Sequence, residues 1–224
     1  MSPILYTIQK HPWIESANKG PAIVILSILL TSTMFSLQYT ENLLQYVTTM
    51  VCIAVRGQPV VGVIHKPFTD KTAWGWSGPG FVSSDVSEDI KAHFGTSDYH
   101  KHQDLSKAKI IVSRSHAGKV KDVAHAAFGA AVNVTPAGGA GFKAWEVAKG
   151  AQDAYIHATL IKKWDICPGD ALLGALGGKM TDLSGKEIDY SGRPAYVKNE
   201  GGVLATLHDH DAFLEKLKPA MQQK

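Results

Sequence analysis

The sequence of 224 residues has only two cysteines, little net charge and, near its start, a long stretch without an acidic residue. The two cysteines and ten histidines show no spacing typical of a structural zinc site, and two cysteines cannot supply the disulfide framework of a small secreted domain. The formal net charge of +3, without a basic stripe interleaved with aromatic residues, argues against nucleic-acid binding. Cys52 lies in an apolar strand pattern and Cys167 beside a polar motif. Cysteines placed in this way are predicted to be buried thiols rather than a disulfide.

The remaining composition is typical of one globular α/β domain. With 45% hydrophobic and 19% charged residues, a chain of this length can bury a core. Residues 47–55 and 60–66 predict a hairpin around a turn at 56–59, and residues 73–76 predict an edge strand. Residues 77–107 are rich in glycine, serine and charge, which predicts a long loop. Further elements are predicted at 110–112, 120–128, 131–134, 142–150, 154–157 and 203–206, with a terminal helix from Asp209 or Asp211.

The most informative segment covers residues 162–185. It begins Lys-Lys-Trp-Asp-Ile-Cys-Pro-Gly-Asp and predicts a short strand that brings Asp165 to the start of a helix. Pro168 is predicted in the first helical turn, and Gly177 with Gly178 is predicted to end the helix. Anions and their metal ions collect at helix N-termini. For an isolated aspartate, however, helix capping alone is the simpler explanation.

A second segment places polar side chains at the end of a buried strand. Residues 110–112 are Ile-Ile-Val, and Ser113, Arg114, Ser115 and His116 follow directly. Hydroxyls, a guanidinium and an imidazole in this position can bind a phosphate. Taken alone, these four residues favour a solvated turn.

A third segment is a glycine-rich loop before a helix. Residues 138–143 are Gly-Gly-Ala-Gly-Phe-Lys. Glycines before a helix let backbone N–H groups approach a phosphate, and Lys143 adds a positive charge. The loop is not a Walker motif, and a glycine-rich loop alone is weak evidence.

Together the three segments resemble the inositol monophosphatase superfamily and, within it, the 3′(2′),5′-bisphosphate nucleotidase branch. The resemblance covers roughly residues 39–217. It implies an α/β fold, the layered α-β-α-β-α sandwich of the inositol monophosphatase type, which would be N-terminally incomplete. Residues 39–224 would form a partial phosphatase domain, and residues 1–38 do not match the family.

The resemblance also implies roles for five residues. Asp165 would be a ligand of the catalytic Mg²⁺ and would contact the substrate, while the bisphosphate nucleotide would contact Ser113, His116, Gly139 and Lys143. The implied reaction is magnesium-dependent removal of the 3′-phosphate from 3′-phosphoadenosine 5′-phosphate, which gives AMP. The implied partner is this small molecule and not a nucleic acid. The implied location is the lumen of the Golgi or of another endomembrane compartment.

One expected motif is absent. The family's first motif, Asp-Pro-(Ile/Leu)-Asp-(Gly/Ala)-Thr, supplies two metal-binding carboxylates, but Thr31 and Met34 occupy the corresponding positions. No acidic residue occurs between Glu15 and Glu41. Because magnesium needs several carboxylates or phosphates to hold it, this loss predicts impaired catalysis. One alternative is a catalytically inactive nucleotide-binding paralogue or truncated isoform. A weaker alternative is an inositol monophosphatase.

Residues 20–40 contain no charged side chain, and residues 21–30 are strongly apolar. The stretch is barely long enough for a bilayer span, and Lys10 and Lys19 before it suit a signal anchor. The alternative is a segment that packs on the strands near residues 47–64, in a protein that is then cytoplasmic. Oligomeric state is not indicated by the sequence.

Overall fold

The structure, a computed structural model, describes residues 25–29, 42–76, 81–83, 104–114, 117–191 and 197–222. Within these residues the larger strands form two five-stranded sheets. The first sheet has the order β1-β2-β3-β4-β5 and is antiparallel throughout. Its strands are β1 (Ile25–Leu29), β2 (Thr49–Val55), β3 (Gln58–Lys66), β4 (Lys71–Trp76) and β5 (Phe81–Ser83).

The hairpin predicted in this sheet is present, and its turn is tighter than predicted. Arg56 (φ 52°) and Gly57 (φ 81°) alone connect β2 and β3, as expected of a two-residue turn that needs positive φ at both positions. The prediction of an edge strand at 73–76 was wrong, because β4 pairs with β3 on one side and with β5 on the other. β5 itself lies inside the segment that was predicted as a loop.

The second sheet mixes parallel and antiparallel pairs in the order β10-β12-β8-β6-β7. β6 runs parallel to both β7 and β8, while β12 is antiparallel to β8 and to β10. A small sheet pairs β9 with β11. The ranges are β6 (Lys109–Ser113), β7 (Asn133–Ala137), β8 (Ala154–His157), β9 (Ile161–Lys162), β10 (Lys179–Thr181), β11 (Lys198–Asn199) and β12 (Val203–Thr206).

Four α-helices are found among the described residues, and they lie in two layers. α2 and α3 pack against each other between the two sheets, and α1 and α4 cover the other face of the second sheet. The described residues thus supply a β-α-β-α order of layers, as a sheet needs helices or another sheet to bury its apolar face. The helices are α1 (Ala117–Phe128), α2 (Ala140–Ala148), α3 (Lys163–Ala175) and α4 (His210–Gln222).

α3 lies so close to the first sheet that one strand position has no room for a side chain. A methyl group on Gly62 of β3 would overlap the carbonyl oxygen of Pro168. The helix begins at Lys163, with Lys162 as its N-cap. Pro168 therefore lies in the second turn, and the prediction that it occupies the first turn was wrong. Because proline has no N–H, the carbonyl of Trp164 loses its helical hydrogen-bond donor there.

The two cysteines form a disulfide, so the prediction of buried thiols was wrong. Cys52 of β2 and Cys167 of α3 are 115 residues apart in sequence, with a Cα–Cα distance of 5.9 Å. Both are buried, at 1% and 5% exposure. The pairing could not be deduced from spacing, because only the packing of α3 on β2 brings the two positions together.

The N-terminal apolar stretch is described only at β1, which pairs with β2 in an antiparallel register from Ile25–Ala54 to Leu29–Met50. The rest of residues 20–40 lies outside the described residues. In the part of the chain that the structure describes, no helix is long and apolar enough to cross a bilayer. The signal anchor stays a prediction.

Candidate functional site

Three parallel strands end at one edge of the second sheet, and the predicted phosphate-binding segments begin there. The register pairs Ser113, the last residue of β6, with Ala137, the last residue of β7. β8 lies on the other side of β6 and ends at His157 in the same direction. In α/β sheets, ligands bind at the carboxyl ends of the strands. Ser113 and the glycine-rich loop are therefore brought to one edge.

The glycine-rich loop forms the N-cap of α2. Gly139 has φ 64°, a backbone conformation that glycine adopts without strain. A side chain on Gly139 would also approach the carbonyl oxygen of Tyr46, so both the conformation and the space favour glycine. The first N–H groups of a helix lack helical acceptors, which makes the start of α2 a favourable place for an anion.

Lys143 lies one helical turn after Gly139 and is almost completely buried, with 3% of its surface exposed. Its Nζ donates a 2.7 Å hydrogen bond to the carbonyl oxygen of Gly139 and lies 5.1 Å from the ring centroid of Tyr155. Burial lowers the pKa of Lys143 to about 7, although the carboxylate of Asp165 acts in the opposite direction. A buried amine that is only partly charged near pH 7 is thus enclosed at the site.

Asp165 lies in the first turn of α3, as predicted from the strand-to-helix pattern. Its carboxyl group is half-buried, and burial raises its pKa, while the positive charges of Lys162 and Lys143 lower it. A negative side chain in the first turn is favoured by the helix dipole. The carboxylate and the Lys143 ammonium interact electrostatically although α2 and α3 are separate in sequence.

Small residues allow this proximity. A methyl group on Gly169 of α3 would overlap the side chain of Ala144 on α2, so the two helices approach more closely than larger residues would permit. The contact brings the first turn of α3 beside the helix that contains Lys143. Packing between these helices therefore determines the arrangement of Asp165 and Lys143.

Tyr155 is a neighbour of the site that sequence reasoning missed. It is fully buried in β8, and its hydroxyl has no hydrogen-bond partner among the residues that the structure describes. Burial, and then the charge of Asp165, raises the pKa of Tyr155. A tyrosine within a strand gives no sequence signal of such a position.

A second attachment of α3 was also not foreseen. Lys163 donates a hydrogen bond from Nζ to the carbonyl oxygen of Asp189, and the hydroxyl of Tyr190 donates a 2.7 Å hydrogen bond to Oδ2 of Asp170. The backbone N–H of Tyr190 donates to the carbonyl oxygen of Gly57 in the β2–β3 turn. The segment of residues 187–191 thus connects α3 to the first sheet.

Of the five predicted site residues, the structure brings together Gly139, Lys143 and Asp165, and it places Ser113 beside Ala137 at the start of the glycine-rich loop. His116 lies outside the described residues, as do Thr31 and Met34. A magnesium cluster does not fit the described part of the chain, where no group of three or more His, Cys, Asp or Glu residues could hold a metal ion. The charges near Asp165 are those of two lysines, Lys162 and Lys143. This environment favours an anionic or hydroxyl-bearing ligand.

Known proteins with similar sequences are phosphatases by name. The chain is 50% identical over 187 residues to "Inositol monophosphatase 3" of Danio rerio, covering 80% of this chain and 50% of that protein. It is 49% identical over 187 residues to "Golgi-resident adenosine 3′,5′-bisphosphate 3′-phosphatase" of Rattus norvegicus, covering 80% of this chain and 48% of that protein. The chain thus spans about half the length of these curated relatives.

Solved structures agree on the fold. The inositol monophosphatase of Thermotoga maritima superposes with a TM-score of 0.63 at 18% identity, over 91% of this chain and 71% of that one. The enzyme of Anabaena (Nostoc) sp. PCC 7120 gives a TM-score of 0.59 at 24% identity, over 82% and 68%. The predicted α/β sandwich is confirmed by these structures. Residues 36–222 match the model of the inositol monophosphatase family, and the chain belongs to that family.

Proposed function

We propose that this chain is a phosphatase domain of the bisphosphate nucleotidase type that binds 3′-phosphoadenosine 5′-phosphate and hydrolyses it slowly. The supporting observation is the approach of Asp165 and Lys143 beside the glycine N-cap of α2, at the sheet edge where Ser113 ends β6. The relative in Rattus norvegicus has a name that states this substrate class. The Golgi location of that relative is likewise proposed for this chain.

Each residue has a proposed part in binding. The N–H groups at the start of α2 donate to phosphate oxygens, as at other helix N-termini. Lys143 exchanges its hydrogen bond with Gly139 for one with the phosphate, and ligand binding then keeps its ammonium charged. Ser113 donates its hydroxyl to the same group. Asp165 accepts a hydrogen bond from a sugar hydroxyl and so distinguishes a nucleotide from free phosphate. His116 is proposed as a further contact from the resemblance alone.

The proposed reaction transfers the 3′-phosphoryl group to water. The water oxygen bonds to phosphorus, the bond from phosphorus to the 3′-oxygen breaks, and AMP leaves with a hydroxyl group while inorganic phosphate is released. Members of this family use Mg²⁺ to activate the water and stabilise the leaving oxygen. The described residues do not fit such a cluster. Losing one electrostatic stabiliser can cost about 10²–10³ in rate, so slow turnover is expected.

A second candidate function is nucleotide binding without turnover. It is favoured by the same residues, because Asp165 lies near Lys143 and its charge is stabilised by Lys143 and Lys162. Recognition of a phosphate by backbone N–H groups, a hydroxyl and a lysine needs no metal. An inositol monophosphatase activity is a weaker alternative, although one relative has that name.

Phosphate release and calorimetry on the purified chain separate these candidates. We expect binding of adenosine 3′,5′-bisphosphate that exceeds binding of adenosine, and phosphate release that is far slower than for a full-length relative. Asp165→Asn should weaken nucleotide binding, whereas Asp153→Asn, directly before β8, should not. Release at the rate of the full-length relative, abolished by Asp165→Asn, would show that turnover is not impaired. Equal binding of adenosine and its bisphosphate would contradict the proposed site.

A further inference from the structure

The disulfide joins the first sheet to the part of α3 that presents Asp165. Cys52 is a central residue of β2, with its backbone paired to β1 and β3. Cys167 follows Asp165 by two positions and lies on the buried side of α3. A covalent bond therefore connects a residue held on both sides by the sheet to the turn of the helix that contains the site carboxylate.

This turn of α3 has fewer helical hydrogen bonds than the rest of the helix. Pro168 cannot donate to the carbonyl of Trp164, and the N-cap residue Lys162 provides no side-chain hydrogen bond to the first turn. The noncovalent attachments at Lys163 and Asp170 lead to the segment of residues 187–191. The cross-link is thus a covalent attachment of this turn to the sheet, in addition to the packing of Pro168 against Gly62 of β3.

We propose that the Cys52–Cys167 disulfide is a positioning cross-link for the Asp165 turn of α3, formed by thiol–disulfide exchange in an oxidising compartment. The two thiols give up two protons and two electrons to a partner disulfide, either glutathione disulfide or the active-site disulfide of an oxidoreductase. The S–S bond of the partner breaks and its two sulfurs become thiols, which are two glutathione molecules or the dithiol of the oxidoreductase, while a new S–S bond joins Cys52 to Cys167. This inference does not rest on the proposed function.

Burial decides when the bond forms. At 1% and 5% exposure, neither sulfur can meet a partner disulfide in the folded chain, because exchange needs access of the attacking thiolate. The bond therefore forms before α3 has closed onto β2. Disulfides persist in oxidising compartments such as the secretory lumen and are rare in the cytosol. The cross-link consequently assigns the maturing chain to such a compartment.

The first experiment locates the bond. The full chain, made both in a secretory lumen and in a reducing cytosol, is unfolded in alkylating reagent without reductant and digested. We expect the lumenal protein to give the peptide containing Cys52 joined to the peptide containing Cys167, and the cytosolic protein to give both peptides alkylated. Alkylation of both cysteines in the lumenal protein would overturn the proposal. This result involves no substrate and is independent of the proposed function.

The second experiment tests positioning by amide hydrogen exchange. Oxidised protein is compared with protein reduced after transient unfolding and with the Cys52→Ala, Cys167→Ala double variant. Without the cross-link, the amides of residues 169–172 should exchange on the order of tenfold faster, and by a larger factor than those of β12. Leu217→Ala, on α4 in a core separate from that of the disulfide, is the control; it should accelerate exchange in β12 at least as much as in residues 169–172.

The comparison of regions decides the outcome. Equal acceleration in α3 and β12 on loss of the bond would reduce the cross-link to a general stabiliser and overturn the positioning role. Unchanged exchange in residues 169–172 would overturn it as well. If the double variant does not fold, the reduced wild-type chain and the peptide mapping still give a decision.

Discussion

The hydroxyl of Tyr190 donates a 2.7 Å hydrogen bond to Oδ2 of Asp170 and so attaches the segment after β10 to the middle of α3. Tyr190 is buried. The pKa of Asp170 is raised to about 7, chiefly by burial and also by Glu187, although the hydrogen bond from Tyr190 lowers it. This carboxyl group is five residues from Asp165 on the same helix, so its protonation and its partner affect the helix that presents the site.

Replacing Tyr190 with phenylalanine should destabilise the chain. The substitution removes the hydroxyl that donates to Asp170 and leaves the buried carboxyl group without this hydrogen bond, which should lower the free energy of unfolding by about 1–3 kcal/mol. Urea unfolding measures this cost. Tyr155→Phe is the matched control, because the Tyr155 hydroxyl is buried without a partner among the described residues; its removal should be neutral or stabilising. Equal destabilisation by both substitutions would contradict the role of this hydrogen bond.

Asp170 should make stability depend on pH. Its folded pKa of about 7 exceeds the ordinary value of 3.8, so the folded chain binds the proton more tightly than the unfolded chain does. The stabilisation is complete below about pH 4 and is lost as the pH rises towards 7. Asp170→Asn should therefore gain stability relative to wild type between pH 5 and pH 8.

Urea unfolding of Asp170→Asn and wild type at these two pH values measures that difference. Glu215→Gln, which changes an exposed carboxylate on α4, should leave the wild-type difference between pH 5 and pH 8 unaltered. If the difference in unfolding free energy between wild type and Asp170→Asn is the same at pH 8 as at pH 5, the Asp170 carboxyl group is ionised in the folded state without cost, and the prediction is wrong.

Local features made much of the fold predictable from sequence. The alternation of apolar residues indicated β2 and β3, and Arg56 with Gly57 suits the turn between them. The strand-to-helix pattern located Asp165 correctly because a short strand, an acidic first turn and a glycine pair at the end are all local signals. The position of Pro168 was missed because the helix extends N-terminally beyond its apolar face, to Lys163.

Features that depend on packing could not be predicted. Cys52 and Cys167 meet because α3 crosses β2, a relationship between segments 115 residues apart. The burial of Lys143 was equally hidden, because a lysine after a glycine-rich loop is typical of an exposed phosphate contact. Resemblance supplied the list of site residues, whereas the sheet register explains why Ser113 lies beside the glycine-rich loop.

Two glycines near α3 should respond oppositely to alanine. Gly62→Ala would place a methyl group on the carbonyl of Pro168, and forcing a core contact typically costs about 1–3 kcal/mol. Gly174 lies in α3, and a methyl group there meets nothing within 4 Å. Because glycine has a lower helix propensity than alanine, Gly174→Ala should raise the free energy of unfolding by about 0.5–1 kcal/mol. Thermal unfolding of both variants tests the pair. A stable Gly62→Ala chain would contradict the close packing of α3 on β3.

Lys143→Met should separate ligand binding from stability. Methionine has a similar length and no charge, so it fills the same buried space, while the hydrogen bond to Gly139 is lost. Burial lowers the pKa of Lys143 from 10.5 to about 7, so the unfolded chain binds more protons than the folded chain between these values. The stability of the wild type should therefore rise from pH 7 towards pH 10, and this rise should be smaller in Lys143→Met.

Nucleotide binding should be weaker in Lys143→Met than in the wild type. A hydrogen bond to a charged group contributes about 1.5–3 kcal/mol, so Lys143→Met should weaken the binding of adenosine 3′,5′-bisphosphate by about tenfold or more. Calorimetry at pH 7 measures this loss, and urea unfolding at pH 7.5 and 9.5 confirms that the variant is folded. Lys162→Met, which removes an exposed lysine near Asp165, is the control and should weaken binding less because solvent screens its charge. A folded Lys143→Met chain that binds the nucleotide as tightly as wild type would exclude Lys143 from the site.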